Sequence, residues 1–340
     1  MKVFHFHFGK DGGAERFFTH LVAALGERGV EQTAVIRPKR LWRPAIAPYA
    51  TIIESHFRDL STDRLLLPLR MKRRVSKERP DAVLAWMPKG AKLMPADPKT
   101  HKIARLGDYP LRLKHFDRLD TLVCNTPGIA ERVRELGWTR NVEVITNFTN
   151  EERVAPVDRA AYGAGPDDFV VSTMGRFVPR KGFDVLIDAA ALNPSIHLWI
   201  MGDGELAEAL AEQAKERGVE NRVKFLGWQS DIRPFVAASD AFAMASNHEP
   251  LGNVVLEAWA QGKPVVSTRC EGPSWFMEDG ADGLMVDIGD AEGFAKAFAR
   301  LKEEDGLAER LAAGGMATLK SRFSKQAICD QYIRLFKEKP

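Results

Sequence analysis

The chain has 340 residues, room for two domains of ordinary size. Hydrophobic residues make up 45% and charged residues 28%, the composition of a globular protein, and no run of 18 apolar residues is present to span a membrane. The net charge of +3 is unevenly placed: residues 1–160 hold 29 Lys/Arg against 19 Asp/Glu, and residues 161–340 hold 20 against 27, so the first half either meets something anionic or shows ordinary surface variation.

The chain opens on Lys2–Phe8, where Phe and His alternate as in a buried strand and not as in a signal peptide. His5 and His7 read as buried or edge histidines, not metal ligands. Further strands are predicted at Gln32–Ile36, Thr51–Glu54, Ala82–Trp86, Lys102–Leu106, Thr121–Cys124 and Val142–Ile145, with helices clearest at Ala14–Glu27 and Pro127–Leu136. The charged, Pro- and Gly-bearing segment Thr149–Asp168 breaks the rhythm and reads as an interdomain linker. Strands resume at Phe169–Met174, Ile196–Met201, Val223–Leu226, Ala241–Ala245, Pro264–Ser267 and Gly283–Val286, and a last helix spans Ser324–Lys337. This alternation predicts an α/β fold of parallel sheets. Cys124, Cys270 and Cys329 are far apart, lack metal-ligand spacing and cannot all pair, which suits a reducing, cytoplasmic compartment.

In open parallel sheets, ligands bind at the carboxyl ends of strands. Four predicted strands of the second half run directly into informative residues: Gly175-Arg176 and Lys181-Gly182, Gly202-Asp203-Gly204-Glu205, Gly227-Trp228, and Glu249-Pro250-Leu251-Gly252-Asn253. Arg176 and Lys181 can neutralise a leaving diphosphate. The helix beginning at Leu251-Gly252-Asn253 offers free backbone N–H groups and the positive end of its dipole. Glu249 can contact a sugar, and Glu257, further along that helix, can accept hydrogen bonds from ribose hydroxyls. Each residue alone is more simply a surface charge or a turn former; the four together are not.

The stretches GRFVPRKGFDVLIDA, LWIMGDGE, VKFLGW and EPLGNVVLEAWAQGKPVVST carry a resemblance across about residues 169–290. They resemble the C-terminal domain of the retaining glycosyltransferases of family 4, with Glu249 and Glu257 matching an E-x7-E motif. The resemblance implies the GT-B fold, two facing Rossmann-like doubly wound domains with a cleft between them. It implies an acceptor domain over residues 1–160, with the C-terminal helix 324–340 packing back on it, and a nucleotide-sugar donor domain over residues 161–323. It further implies a hexosyltransferase with Arg176 and Lys181 on the diphosphate of a UDP- or GDP-sugar, Glu249 at the donor sugar and Glu257 at the ribose. Gly175, Gly202, Trp228, Leu251, Gly252 and Asn253 are expected to line the same site. The acceptor is expected to be a glycan or lipid-linked, of the lipopolysaccharide-core type.

The first half resembles the family more weakly, best at Gly9-Lys10-Asp11-Gly12-Gly13-Ala14-Glu15-Arg16, a turn into a helix N-terminus in which Gly12 and Gly13 suit phosphate or sugar. It is not G-x-G-x-x-G, which removes support for a dinucleotide oxidoreductase. Where relatives often carry histidine after a middle strand, this chain reads Arg105-Leu106-Gly107-Asp108-Tyr109, with Asp108 the acceptor-side candidate. No Asp-x-Asp triplet occurs, so no metal is expected on the diphosphate. The basic stretches Arg37–Arg43 and Arg70–Arg74, interleaved with Trp42, Leu67, Leu69 and Met71, suit an anionic membrane surface or a lipid-linked acceptor, or form a solvated face. No nucleic-acid motif accompanies them. The alternatives are an epimerase or a phosphorylase on the same fold, or a catalytically silent nucleotide-sugar binder.

Overall fold

The computed structural model describes residues 1–10, 12–57, 61–86 and 88–338. The chain divides into two compact units, one of residues 1–148 with 323–340 and one of residues 149–322.

The first unit holds a seven-stranded sheet of β1 (Lys2–His7), β2 (Glu31–Ile36), β3 (Thr51–Glu54), β4 (Ala82–Ala85), β5 (His101–Leu106), β6 (Thr121–Cys124) and β7 (Asn141–Val144). The order is β3-β2-β1-β4-β5-β6-β7, with every pair parallel. Both faces of the central strand are covered, so its alternation does not divide core from solvent. Val3 enters one apolar cluster with Phe17 and Phe18, and Phe4 and Phe6 enter the other with Leu67 and Met71. His5 and His7 are fully buried.

The second unit holds β8 (Phe169–Met174), β9 (Ile196–Met201), β10 (Val223–Gly227), β11 (Ala241–Met244), β12 (Val265–Thr268) and β13 (Leu284–Val286), in the order β10-β9-β8-β11-β12-β13 and parallel throughout. This is the doubly wound order, in which the direction of winding reverses between β8 and β11 and opens a crevice at their carboxyl ends. Among the described residues, each of these strands lies within one residue of its predicted bounds.

The last helix, Lys325–Lys337, has Ser324 as its N-cap and belongs to the first unit. Its Ile328, Cys329, Tyr332, Leu335 and Phe336 lie in the cluster that contains Val3 and Phe17. His101 of β5 contacts the Leu335 carbonyl through Nδ1 at 3.0 Å.

Segment 149–168 departs from the linker reading, and the division between units falls after Phe148, not at residue 160. The segment is a strap bound to the second unit. Arg159 donates to the Ala238 carbonyl at 2.6 Å, the Asp168 carbonyl at 3.1 Å and Asp240 Oδ1 at 2.6 Å. Gln261 accepts from Val154 N–H and donates to the Glu152 carbonyl. Tyr162 meets Trp199 and Phe235 edge to face. The polar composition that suggested a linker is used to hold the strap down.

Candidate functional site

At the end of β8 the chain turns through Gly175 and Arg176 and enters a short 3-10 turn, Pro179–Lys181. Two backbone contacts fix this turn. Gly175 N–H donates to the Met201 carbonyl at 3.0 Å and Phe177 N–H to the Asp203 carbonyl at 2.9 Å, joining it to the loop after β9. A Cβ on Gly202 would run into the Gly175 carbonyl oxygen, so this glycine answers to packing between the two loops. On the other side Gly182, in the left-handed region at φ 63°, lies against the Ala245 carbonyl just past β11. Asn247 N–H donates to the Arg180 carbonyl at 2.9 Å.

These contacts bring the end of β8 against the end of β11, and Lys181 Nζ forms an ion pair with Glu249 Oε2. Both side chains are largely buried, so this pair is better shielded than a surface one. Arg176, in the turn that leads to Lys181, is exposed. Glu249, Leu251 and Gly252 lie in the loop that leads into helix Asn253–Ala260, and Gly252, at φ 89°, is its N-cap. Glu257 is buried inside that helix. Trp228 follows β10, the edge strand two places from β8, and is 54% exposed.

In the first unit Gly12 caps helix Gly13–Glu27. Asp11 lies outside the described residues. The Glu15 carboxylate folds back beneath Gly9 and Gly12, close enough that a Cβ on Gly9 would collide with it. This N-terminus, read from sequence as suited to phosphate, therefore carries a carboxylate of its own, as in a capping box. His7 Nε2 is 3.9 Å from Glu15 Oε1, and burial holds the ring well below its ordinary pKa, at about 3, so it stays neutral. Asp108 is exposed in the bend after β5 and accepts from Tyr109 N–H at 2.8 Å.

The family model for glycosyl transferases group 1 matches residues 155–317. Two Rhizobium meliloti (strain 1021) proteins align along the whole chain. Lipopolysaccharide core biosynthesis glycosyltransferase LpsE is 59% identical over 100% of both chains. LpsD, of the same description, is 51% identical over 99% of this chain and 98% of its own. The chain belongs to the group 1 glycosyltransferases. It is a glycosyltransferase by family, and its fold class is GT-B. The crystal structure of Anabaena Alr3699/HepE in complex with UDP and glucose shares that fold, with a TM-score of 0.82 at 23% identity over 98% of each chain.

Other residues that hold the Glu249 loop, and one buried charge of the first unit, escaped the sequence. Glu271, at the start of the short helix Glu271–Phe276, accepts from His248 Nδ1 at 2.7 Å and from Glu249 N–H at 3.2 Å. Burial raises its pKa, but these hydrogen bonds outweigh that and hold the carboxyl below its usual range. Gly272 N–H donates to the Glu249 carbonyl at 2.9 Å and Thr268 Oγ1 to the Ser246 carbonyl at 2.6 Å, so the whole Glu249 loop is clamped to the end of β12. In the first unit Arg105 is buried between Phe17 and Trp86 and donates to Asn147. The only sequence signal for it was a charge inside a predicted strand. Among the described residues no cluster of metal-ligating side chains is found, and no helix is long and apolar enough to cross a membrane.

Proposed function

We propose that the second unit binds a UDP- or GDP-sugar and that the enzyme transfers the sugar, with retention of configuration, to a glycan or lipid-linked acceptor such as the lipopolysaccharide core. The observation that carries this reading is the Lys181–Glu249 pair at the carboxyl ends of β8 and β11, together with Arg176 and the N-terminus of helix Asn253–Ala260. A leaving diphosphate gains charge as the glycosidic bond breaks, and two cations with a helix N-terminus stabilise that charge most in the transition state. Glu249, whose backbone is held by Glu271 and Gly272 and whose carboxylate pairs with Lys181, would accept from donor-sugar hydroxyls. Glu257 would accept from the ribose, Leu251 and Asn253 would offer backbone N–H groups, and Trp228 would meet the base. Asp108 would face the acceptor. The acceptor class is supported by the names of the two Rhizobium meliloti relatives.

The cations replace a metal in this reading, so transfer is metal-independent. The excess of basic residues in the first 160 positions supports an anionic membrane surface as a further partner, with the enzyme peripheral on it.

The test is thermal shift with UDP, GDP and their sugars, followed by transfer to truncated lipopolysaccharide core with and without excess EDTA. One nucleotide family should raise Tm, transfer should survive EDTA, and the product should keep the donor's anomeric configuration by NMR. Loss of transfer in EDTA with rescue by Mg²⁺ would overturn the metal-independent part. Absence of any nucleotide response would overturn the donor site.

A further inference from the structure

Helix Asp63–Glu78 turns one side into the core, where Leu67, Met71 and Val75 are buried. The apolar residues on its other side are not the Leu67 and Met71 expected from sequence. Leu65, Leu66 and Leu69 are 75%, 54% and 57% exposed. Three leucines facing out within five residues are not accounted for by packing or by the donor site.

The charges on the same helix are sorted as well. It has six Lys/Arg against Asp63 and Glu78. Both carboxylates are turned to the protein itself. Asp63 accepts from Ser55 Oγ at 2.8 Å and His56 N–H at 3.0 Å, and Glu78 pairs with Lys2 and Arg74. Arg70, Lys72, Arg73 and Lys77 are exposed. At helical spacing they follow the leucines along the outward side. Leu69, Lys72, Arg73, Ser76 and Lys77 border one open hollow of the surface. Trp42, the aromatic residue of the other basic stretch, is tied to its own unit by donating Nε1–H to the Lys10 carbonyl at 2.7 Å.

We propose that this helix face docks on a bilayer bearing anionic headgroups, with Leu65, Leu66 and Leu69 entering the acyl boundary and Arg70, Lys72, Arg73 and Lys77 on the headgroup phosphates. The inference rests on the membrane reading above and adds the face that docks and an apolar share in the attachment. Exposed leucines beside long flexible cations form the pattern of a helix lying in the interface plane. The cationic share is screened over about 10 Å at 0.1 M salt, whereas the leucine share is not.

The experiment is flotation of the full chain with phosphatidylcholine vesicles, with and without phosphatidylglycerol, at low and high salt. The wild type should bind the anionic vesicles, with a fraction retained in high salt. The triple variant Leu65→Ser, Leu66→Ser, Leu69→Ser should lose that retained fraction and bind on the order of tenfold more weakly at low salt, with its nucleotide thermal shift unchanged. A separate Leu66→Trp variant should show blue-shifted emission on anionic vesicles and quenching by brominated lipid. Wild-type binding with an unaltered leucine variant and no quenching would overturn the inference and leave a purely electrostatic membrane contact. No wild-type binding to either vesicle would overturn the membrane reading itself and leave this face to a protein partner.

Discussion

Gln32 donates its amide hydrogens to the Val22 carbonyl at 2.8 Å and the Tyr49 carbonyl at 3.3 Å, which leaves its Oε1 to accept from His5 Nε2 at 3.0 Å. The other nitrogen, Nδ1, accepts from Trp86 Nε1 at 3.3 Å. A second proton on His5 would set two donors against each other. Burial lowers the pKa of His5 to about 4 and that of His7 to about 3. Both folded values lie below the unfolded one, so stability is full above about pH 6.5 and falls as the pH drops from there toward 3. The loss is about 1.4 kcal/mol per pH unit for each ring. Thermal melts between pH 7 and 4.5 should show Tm falling with acid, and His7→Phe, which keeps the stacking on Phe18, should flatten the slope. An unaltered slope would mean that His7 is not buried neutral. At the donor site, Lys181→Ala should leave the fold intact and cut turnover by on the order of 3 kcal/mol, or about a hundredfold. Near-normal steady-state turnover in the folded variant would remove Lys181 from the diphosphate.

Loops, more than strands, decide the site. Gly182 is the hinge of the β8 turn: a side chain there is strained at φ 63° and meets the Ala245 carbonyl. Gly182→Ala should therefore cost about 1–3 kcal/mol and weaken nucleotide binding, read together by denaturant unfolding and thermal shift. Unchanged affinity would show that the turn does not set the crevice. The sequence exposed the strands because each is a short apolar run ended by Gly or a polar pair, and it exposed Arg176, Lys181 and Glu249 because strand ends are where such a sheet puts ligands. The doubly wound order then makes β8 and β11 neighbours although Lys181 and Glu249 are 68 residues apart. What stayed hidden depends on partners that no local pattern announces. Arg159 finds Asp240 across 81 positions, which turned a supposed linker into a strap. Glu271 finds Glu249 N–H across 22 positions. In helix Asp63–Glu78 twelve of the sixteen residues are leucine, methionine, valine, lysine or arginine, so composition could not say which leucines face inward; the burial of Leu67 and Met71 does.

The two units are closed by opposite ends of the same crossing. Arg322, the last residue of the second unit, donates to the Phe276 carbonyl at 3.1 Å and lies over the Trp275 ring at 5.0 Å, completing that unit from its own residues. The first unit is not complete without the chain that follows. Ile328, Tyr332, Leu335 and Phe336 are each at most 2% exposed, and they cover one face of the first sheet together with Phe17 and Phe148. At about 1.5–3 kcal/mol for each buried side chain, their removal withdraws roughly 6–12 kcal/mol, comparable with the whole stability of a domain. A chain ending at Arg322 should therefore lose its first unit and keep its second. Limited proteolysis should digest residues 1–148 and leave a resistant fragment near residues 149–322, and that fragment should retain the nucleotide thermal shift while transfer is lost. Equal resistance of both parts in the truncated chain would show that the first sheet holds without the returning helix, and loss of both would show that the strap and the Arg322 contacts do not close the second unit.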